Sequence, residues 1–431
     1  MVNGVVILGA GIAGIAANYY AGKDNAIIYE KDDEYGGVCG NFKLDDFLFD
    51  KCIHISFTKN KEVRSIFDKV SYNSFSSNPK SIYNYTWFKH PIQNNMYKLP
   101  VDDKVKAIMD FLDKDNIDIK DDTYKSWLYS KYGAYMTEEI FLKYNKKYWC
   151  EKAENMETSW IKNRIYTPDL KEILYGAMSE NTPSTYYAKE IRYPISGGYK
   201  EFLKPMINEC NIVLNSKAIL IDMKNKIVEF NNGKKVHYNY LINTIPLPEL
   251  VSITKDINEE IKDKSKSLKN TSVVLVSIVI KGKINFDDIW FYIYDGDILP
   301  ARAYLPGKKS INNIKDGYST IQFEIYYSKS KEIGISNEGI MNNIYRFLEK
   351  SKLASQKDVI LSDIRKLDYA NILFGSDTIK NKNYIIEFYE KNHIYSAGRY
   401  GLWEYFWSDE SLISGKNAVN KINNTLKDKG R

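Results

Sequence analysis

The sequence predicts an α/β protein: a Rossmann-like dinucleotide-binding unit, interrupted by a helical insertion and joined to a second, mixed β-sheet. Three observations carry this. Residues 5–30 run from an apolar strand through a glycine-rich turn and a small-residue helix to a second apolar strand that ends on an acid. Residues 101–174 place their apolar side chains at helical spacing, and residues 273–326 fall into short β-branched and aromatic runs divided by turns.

The first unit is the most specific. Val5 to Leu8 are apolar without alternation, as in a parallel strand covered on both faces. Gly9 permits the tight turn, Gly11 lets backbone amides approach a pyrophosphate, and Gly14 lets the following helix pack close to the sheet with its positive dipole end toward the anion. Ala26 to Tyr29 read as the second strand. Glu30, at its end and sixteen residues after Gly14, is spaced to accept hydrogen bonds from ribose hydroxyls, which disfavours a 2′-phosphate. Lys31 stands beside it among the candidate cofactor-binding residues, and Gly36-Gly37 follows. Three glycines alone also occur in ligand-free turns. Their position between strand and helix, with the acid at a suitable distance, selects dinucleotide binding.

The rest of the composition narrows the class. A chain of 431 residues with 44% hydrophobic content is long enough for two or three interleaved domains. No apolar segment approaches the roughly 20 residues of a membrane span. Glycines break residues 2–17 where a signal peptide would need an uninterrupted helix, so a cytoplasmic protein is expected. The net charge of +6 comes from 61 basic and 55 acidic residues that are largely interleaved, which reads as a solvated surface and not as a nucleic-acid stripe. Cys39, Cys52, Cys150 and Cys210 lie far apart without CxxC spacing, and the four histidines are isolated, so neither a disulfide framework nor a metal site is suggested.

In chain order, Asn41 to Phe49 alternates as one half-buried strand, a loop to Thr58 holds His54, and residues 60–72 are helical. Residues 74–100 read as short strands and turns. The block 101–174 is an all-helical insertion. Glu190 to Pro194 leads into Gly197-Gly198-Tyr199 and a helix to about Ile207. Asn211–Leu214, Ala218–Asp222, Ile227–Phe230 and Tyr238–Ile245 are short strands. Val273–Lys281, Ile289–Tyr294, Arg302–Leu305 and Tyr318–Tyr326 could form one mixed sheet. A helix at 338–350, a last strand His393–Ala397 and a closing helix from Asp409 to Leu426 complete the chain.

The ordered blocks resemble a known family. They comprise the glycine motif with Glu30 and Gly36-Gly37, His54 after Phe49-Asp50, residues 91–95, Tyr144 through Trp149, Arg164, Pro194 through Tyr199, Leu299 through Arg302, Glu324 with Tyr326, and Gly398 through Tyr405. In that order they resemble the UDP-galactopyranose mutase group of the FAD-dependent amine oxidase and protoporphyrinogen oxidase superfamily, over nearly the whole chain. The resemblance implies FAD, held by a glutathione-reductase type domain of residues 1–72, 195–250 and 390–431. It implies a helical insertion at 101–180 and a substrate-binding sheet domain at 73–100 and 251–389.

It further implies that Gly398 and Arg399 lie beside the flavin, and that Arg164, Arg302, Tyr326 and Tyr405 hold a nucleotide-sugar diphosphate. Tyr144 and Trp149 would sit near the uracil or on the mobile segment covering it, and His54, Arg302, Tyr326 and Tyr405 would form the reacting site. The implied reaction is pyranose–furanose isomerisation of a nucleotide sugar for surface glycans. Reduced flavin takes the anomeric carbon and displaces the nucleoside diphosphate, and NAD(P)H or another reductant keeps the flavin reduced. The expected partners are this small molecule and a second copy in a homodimer, with no nucleic acid and no membrane. One departure stands out: Cys52-Ile53 occupies the place where the family has glycine before the histidine. Two other readings remain open, an amine-oxidase type FAD oxidoreductase and a flavoprotein fold retained without catalysis.

Overall fold

The protein is described by a computed structural model over residues 4–76, 78–162, 164–183 and 188–429. Val5–Leu8 is the central strand of a five-stranded parallel sheet. Tyr240–Asn243 and then Ile394–Ser396 lie on one side of it, and Ala26–Tyr29 and then Ile212–Val213 on the other. Every residue of the central strand is buried, because the helix Ile12–Ala21 packs on one face and other elements cover the other. The Rossmann-like unit expected from the sequence is therefore present. Ile212–Val213 joins this sheet, whereas Ala218–Asp222, Ile227–Phe230 and Lys235–His237 form a separate antiparallel meander.

Backbones approach closely around the first helix. A Cβ on Gly14 would come within 2.0 Å of the Gly9 carbonyl oxygen, and one on Gly415, in the closing helix Ser408–Lys429, within 2.2 Å of the Ala13 oxygen. The helix is thus pressed between the turn it leaves and the last helix of the chain.

The second sheet has seven strands, in the order 359–367, 272–281, 318–327, 302–304, 290–293, 80–83, 86–89. All neighbours are antiparallel except Trp290–Ile293 beside Lys80–Tyr83, which makes the sheet mixed. Val101–Leu112, Tyr124–Tyr135, Leu142–Tyr148 and Leu170–Met178 make up the helical insertion, with a π-helical turn at Met136–Phe141.

Several elements differ from the sequence expectation. Asn41–Phe49 is not one strand but a hairpin, Asn41–Leu44 with Phe47–Asp50, because Asp45 adopts a left-handed conformation (φ 53°) that a short acidic side chain tolerates. Val359–Leu367 has no fully buried residue and exposes Ile360, Ser362, Arg365 and Lys366, and it forms only as an edge strand against Ser272–Lys281. The helices Leu247–Ile253, Glu259–Lys266 and Thr378–Lys391 pack on one another and on the meander and the parallel sheet.

One buried ion pair ties the hairpin to the short helix Pro306–Lys309 that follows strand 302–304. Asp50 and Lys309 are both fully buried, with Nζ 2.5 Å from Asp50 Oδ2. Asp50 also accepts hydrogen bonds from the Tyr193 hydroxyl (2.8 Å) and the Tyr199 amide (3.0 Å). With every oxygen engaged the pair holds its position, and removing one partner strands a charge. Lys309→Met is expected to cost about 3–5 kcal/mol in urea unfolding, and the Asp50→Asn/Lys309→Met double variant less than the sum of the two singles.

Candidate functional site

The glycine turn is shaped around empty space. Gly9 has φ 99°, its amide donates to the Tyr29 carbonyl (2.9 Å), and a Cβ on Gly11 would meet nothing within 4 Å. Gly14 and Gly37 are required by neighbouring backbone, so Gly11 is the position where the turn opens to a ligand. The Gly36 amide donates to the Ala10 carbonyl (2.8 Å), which folds the Gly36-Gly37 loop back over the turn. Glu30 is buried. Its Oε2 accepts from the Ala10 amide (2.6 Å) and its Oε1 from the Asp32 amide (3.0 Å). Each oxygen keeps a lone pair, so the carboxylate fixes the turn and can still accept from ribose hydroxyls.

These residues line a cavity of about 730 Å³ that also takes in Lys31, Lys51, Thr244, Gly398, Arg399 and Ser411. The glycine turn, the acid and the closing helix therefore meet at one elongated space, and the donor set fits a dinucleotide such as FAD. Gly398, with φ 79°, sits where a Cβ would press on Ala13.

Past Val38, Cys39, Arg399 and Tyr400 the wall is shared with a second, smaller cavity of about 220 Å³. His54, Arg302, Tyr326 and Tyr405 all line it, so the four residues expected to form the reacting site are brought together. Arg302 donates from Nε to Glu324 Oε2 (2.7 Å) and from Nη2 to the Tyr326 hydroxyl (3.1 Å). Tyr326 donates to the same carboxylate oxygen (2.6 Å). The fully buried Glu324 also accepts from the Ile53 amide (2.9 Å), which fixes the loop carrying Cys52 and His54.

Arg399 differs in its partners. Nη1 donates to the Phe406 carbonyl (3.0 Å), and Nη2 to the Ala370 carbonyl and Asn371 Oδ1 (3.1 Å each), while Nε is buried without a partner. All of these acceptors are neutral. Arg302 is matched by a carboxylate, whereas Arg399 has no carboxylate partner among the described residues and lies over the Tyr405 ring (4.5 Å) where the two cavities meet.

Tyr144, Trp149 and Arg164 line neither cavity. Trp149 packs on Tyr405 (5.3 Å between ring centroids), and Arg164 lies over Tyr405 and Trp407 (5.0 and 4.5 Å) with its guanidinium against Glu410. Tyr144 packs among Tyr148, Tyr292 and Tyr294. These residues stand behind the walls. In their place Tyr148 reaches the cavity, its hydroxyl 3.0 Å from that of Tyr405, together with Tyr292, Tyr400 and Trp407, which were not foreseen individually. Tyr148 and Tyr400 fall inside sequence blocks that had been singled out, but spacing alone cannot choose among adjacent aromatics on a helix.

Burial pushes the His54 imidazole down to about 4, opposed by Asp50 and reinforced by Lys309, so the ring is neutral at physiological pH. Its Nδ1 lies 3.3 Å from the Cys52 carbonyl, which selects the tautomer protonated there. Burial also raises the Cys52 thiol, and Glu324 adds to the effect, so no thiolate forms. Cys52 has φ 69°, a left-handed conformation that a residue with a side chain rarely adopts. Among the described residues no cluster could hold a metal, and all four cysteines are free.

Because His54 and His90, which is pushed down to about 3, stay neutral when folded, the unfolded chain binds more protons below pH 6.5. Stability is expected to fall as pH drops from 6.5 toward 4. Thermal melts across that window should show this fall, and His54→Gln should flatten part of it.

Comparison with known proteins agrees with this geometry. Residues 7–70 match a family model described as an NAD(P)-binding Rossmann-like domain. A structure of reduced UDP-galactopyranose mutase superposes with a TM-score of 0.92 at 21% identity, covering 98% of this chain and 96% of that one. A CLA-producing fatty acid isomerase from P. acnes follows at TM-score 0.65 and 13% identity, covering 97% and 98% of the two chains. A redesigned putrescine oxidase follows at TM-score 0.64 and 13% identity, covering 98% and 99%. The chain thus has the fold seen in UDP-galactopyranose mutase, with an NAD(P)-binding Rossmann-like domain at its start.

Proposed function

We propose that the protein is an FAD-dependent nucleotide-sugar mutase, interconverting pyranose and furanose forms of a sugar joined to a nucleoside diphosphate, for surface-glycan precursor synthesis. The observation that carries this reading is the arginine and tyrosine lining of the smaller cavity where it meets the dinucleotide cavity. The whole-chain likeness to UDP-galactopyranose mutase supports it.

In this reading Gly11, Glu30, Lys31, Gly36, Gly37 and Gly398 hold the cofactor. FAD held there, kept reduced by NAD(P)H or another external reductant, would supply the electron pair that displaces the nucleoside diphosphate from the anomeric carbon. Arg399 and Arg302 bind the diphosphate as substrate and as leaving group, and their fork geometry suits phosphate oxygens. Burial raises the Tyr148 and Tyr326 hydroxyls well above their ordinary value, so both stay protonated. His54, protonated at Nδ1, keeps Nε2 as a hydrogen-bond acceptor for a sugar hydroxyl. Tyr144, Trp149 and Arg164 act through Tyr148 and Tyr405, as packing that keeps the lining rings in place. The aromatic walls exclude water.

A second reading, net oxidation of an amine-type substrate, is favoured by the aromatic lining of Tyr148, Tyr292, Tyr326, Tyr405 and Trp407. The two readings separate in one experiment. Anaerobically reduced protein incubated with a panel of nucleotide sugars is expected to yield ring-size isomers by chromatography, with flavin absorbance unchanged after turnover. No isomer, combined with substrate-driven bleaching of oxidised flavin by amines, selects the oxidase.

Two variant sets test the parts. Gly11→Trp and Glu30→Ala are expected to lower the ratio of flavin to protein absorbance after purification. Arg302→Ala should leave the flavin bound while weakening UDP by about 10- to 100-fold in calorimetry, the scale of a lost charge-assisted hydrogen bond. Unchanged UDP affinity removes Arg302 from the substrate site.

A further inference from the structure

Lys147, the penultimate residue of the helix Leu142–Tyr148, is 6% exposed, and a lysine is almost never buried this far without a partner. Its partners are two backbone carbonyls. Nζ donates to that of Ile293 (2.7 Å) and that of Asp295 (2.9 Å), at the end of the strand Trp290–Ile293. The Asp295 side chain is engaged elsewhere, its Oδ1 accepting from the Tyr85 amide (3.1 Å).

Holding a buried charge on two neutral dipoles is costly, and a helix that needed only packing at this point would carry Leu or Met. What the ammonium adds is direction. Two acceptors two residues apart fix both the depth and the rotation of the helix against the strand, which a single apolar contact cannot do.

Each of the two joined elements carries a ring of the smaller cavity. Tyr148, next to Lys147 in the helix, lines it, with its hydroxyl 3.0 Å from that of Tyr405 and its ring 4.8 Å from that of Tyr326. Tyr292, next to Ile293 in the strand, lines it too. Tyr144 fills the space between, packing on Tyr148, Tyr292 and Tyr294 at centroid distances of 5.7, 6.3 and 4.7 Å. Lys147 itself lines neither cavity, so it acts through these rings.

We propose that Lys147 is a positioning residue, whose ammonium joins the helix Leu142–Tyr148 to the strand end at Ile293–Asp295 and thereby sets the Tyr148 ring and hydroxyl in the wall of the smaller cavity. Its effect on ligand binding rests on the reading of that cavity as the substrate site. Its hold on the helix does not.

The clamp is sensitive to pH. Burial brings Lys147 down to about 7, opposed by Asp295 and Asp297 and reinforced by Lys331. Below that pH a charged donor holds the two carbonyls, and above it a neutral amine holds them more weakly. The sign for folding is the reverse: the cost of burying this charge is full below pH 7 and shrinks as pH rises toward the ordinary lysine value. A ligand affinity that falls while this contribution to stability grows is the signature of positioning.

The test compares wild-type holoprotein with Lys147→Met at pH 6 and pH 8.5, on either side of the lysine transition. Deuterium exchange follows peptides spanning residues 142–150, and calorimetry follows UDP-glucose, whose doubly esterified diphosphate loses no proton in that window. At pH 6 the variant is expected to exchange this segment about tenfold faster than wild type, with unchanged circular dichroism and flavin content, and at pH 8.5 the difference shrinks. Wild type is expected to bind UDP-glucose about fivefold more weakly at pH 8.5 than at pH 6, the scale separating charged from neutral hydrogen bonds. Lys147→Met binds weakly at both. Lys147→Gln, a donor without charge, is expected to bind with no pH dependence, and it gives the same comparison if Lys147→Met does not fold. Equal protection of 142–150 in wild type and variant at pH 6 overturns the proposal, as does one pH profile for UDP-glucose shared by both. A wild type that binds no UDP-glucose at either pH counts against the substrate reading alone, and the exchange comparison then decides on Lys147.

Discussion

The fold depends on how closely backbone can approach backbone around the first helix. Gly14 admits the carbonyl of Gly9, and Gly415 admits the carbonyl of Ala13, at distances where any side chain would collide. The first constraint sets the helix on the sheet and points its N-terminus at the turn. The second brings the closing helix, some 400 residues later in sequence, against the same element. The nucleotide cavity opens at the N-terminal end of this pair, with Ile12 and Ala13 of the first helix and Ser411 of the last among its lining residues.

The second sheet adds chemistry to that space through buried polar groups. Glu324 gathers Arg302, Tyr326 and the Ile53 amide. Asp50 gathers Lys309, Tyr193 and Tyr199. Both carboxylates sit on strands and both hold a loop, so the segment from Asp50 to His54 is fixed at each end by an anion with no exposure to water. Buried charges of this kind contribute little net stability but strongly penalise alternative arrangements, which suits a site whose walls come from distant parts of the chain.

The sequence reveals most where a physical requirement is local. The strand–glycine–helix–strand–acid unit is legible because each residue answers to its neighbours, and the helical insertion because its periodicity is sustained. The edge strand Val359–Leu367 and the helix Thr378–Lys391 were hidden, since their polar, β-branched sequences become ordered only by pairing and packing with remote elements. The site shows the same division. Arg302, Tyr326 and Tyr405 could be picked out by the order of motifs. The choice of Tyr148 over Tyr144 as the lining ring depended on helix phase after a π-turn, which shifts every later side chain around the axis.

Cys52 has a consequence for selectivity. Holding an L-residue at φ 69° costs about 1 kcal/mol relative to glycine, and the chain carries that cost at the wall of its smaller chamber. A side chain there takes up room that a bare Cα would leave to the ligand, on a loop whose backbone Glu324 anchors. The chamber is accordingly smaller beside His54, so a ligand's bulk at that edge is limited by the polypeptide backbone's own position.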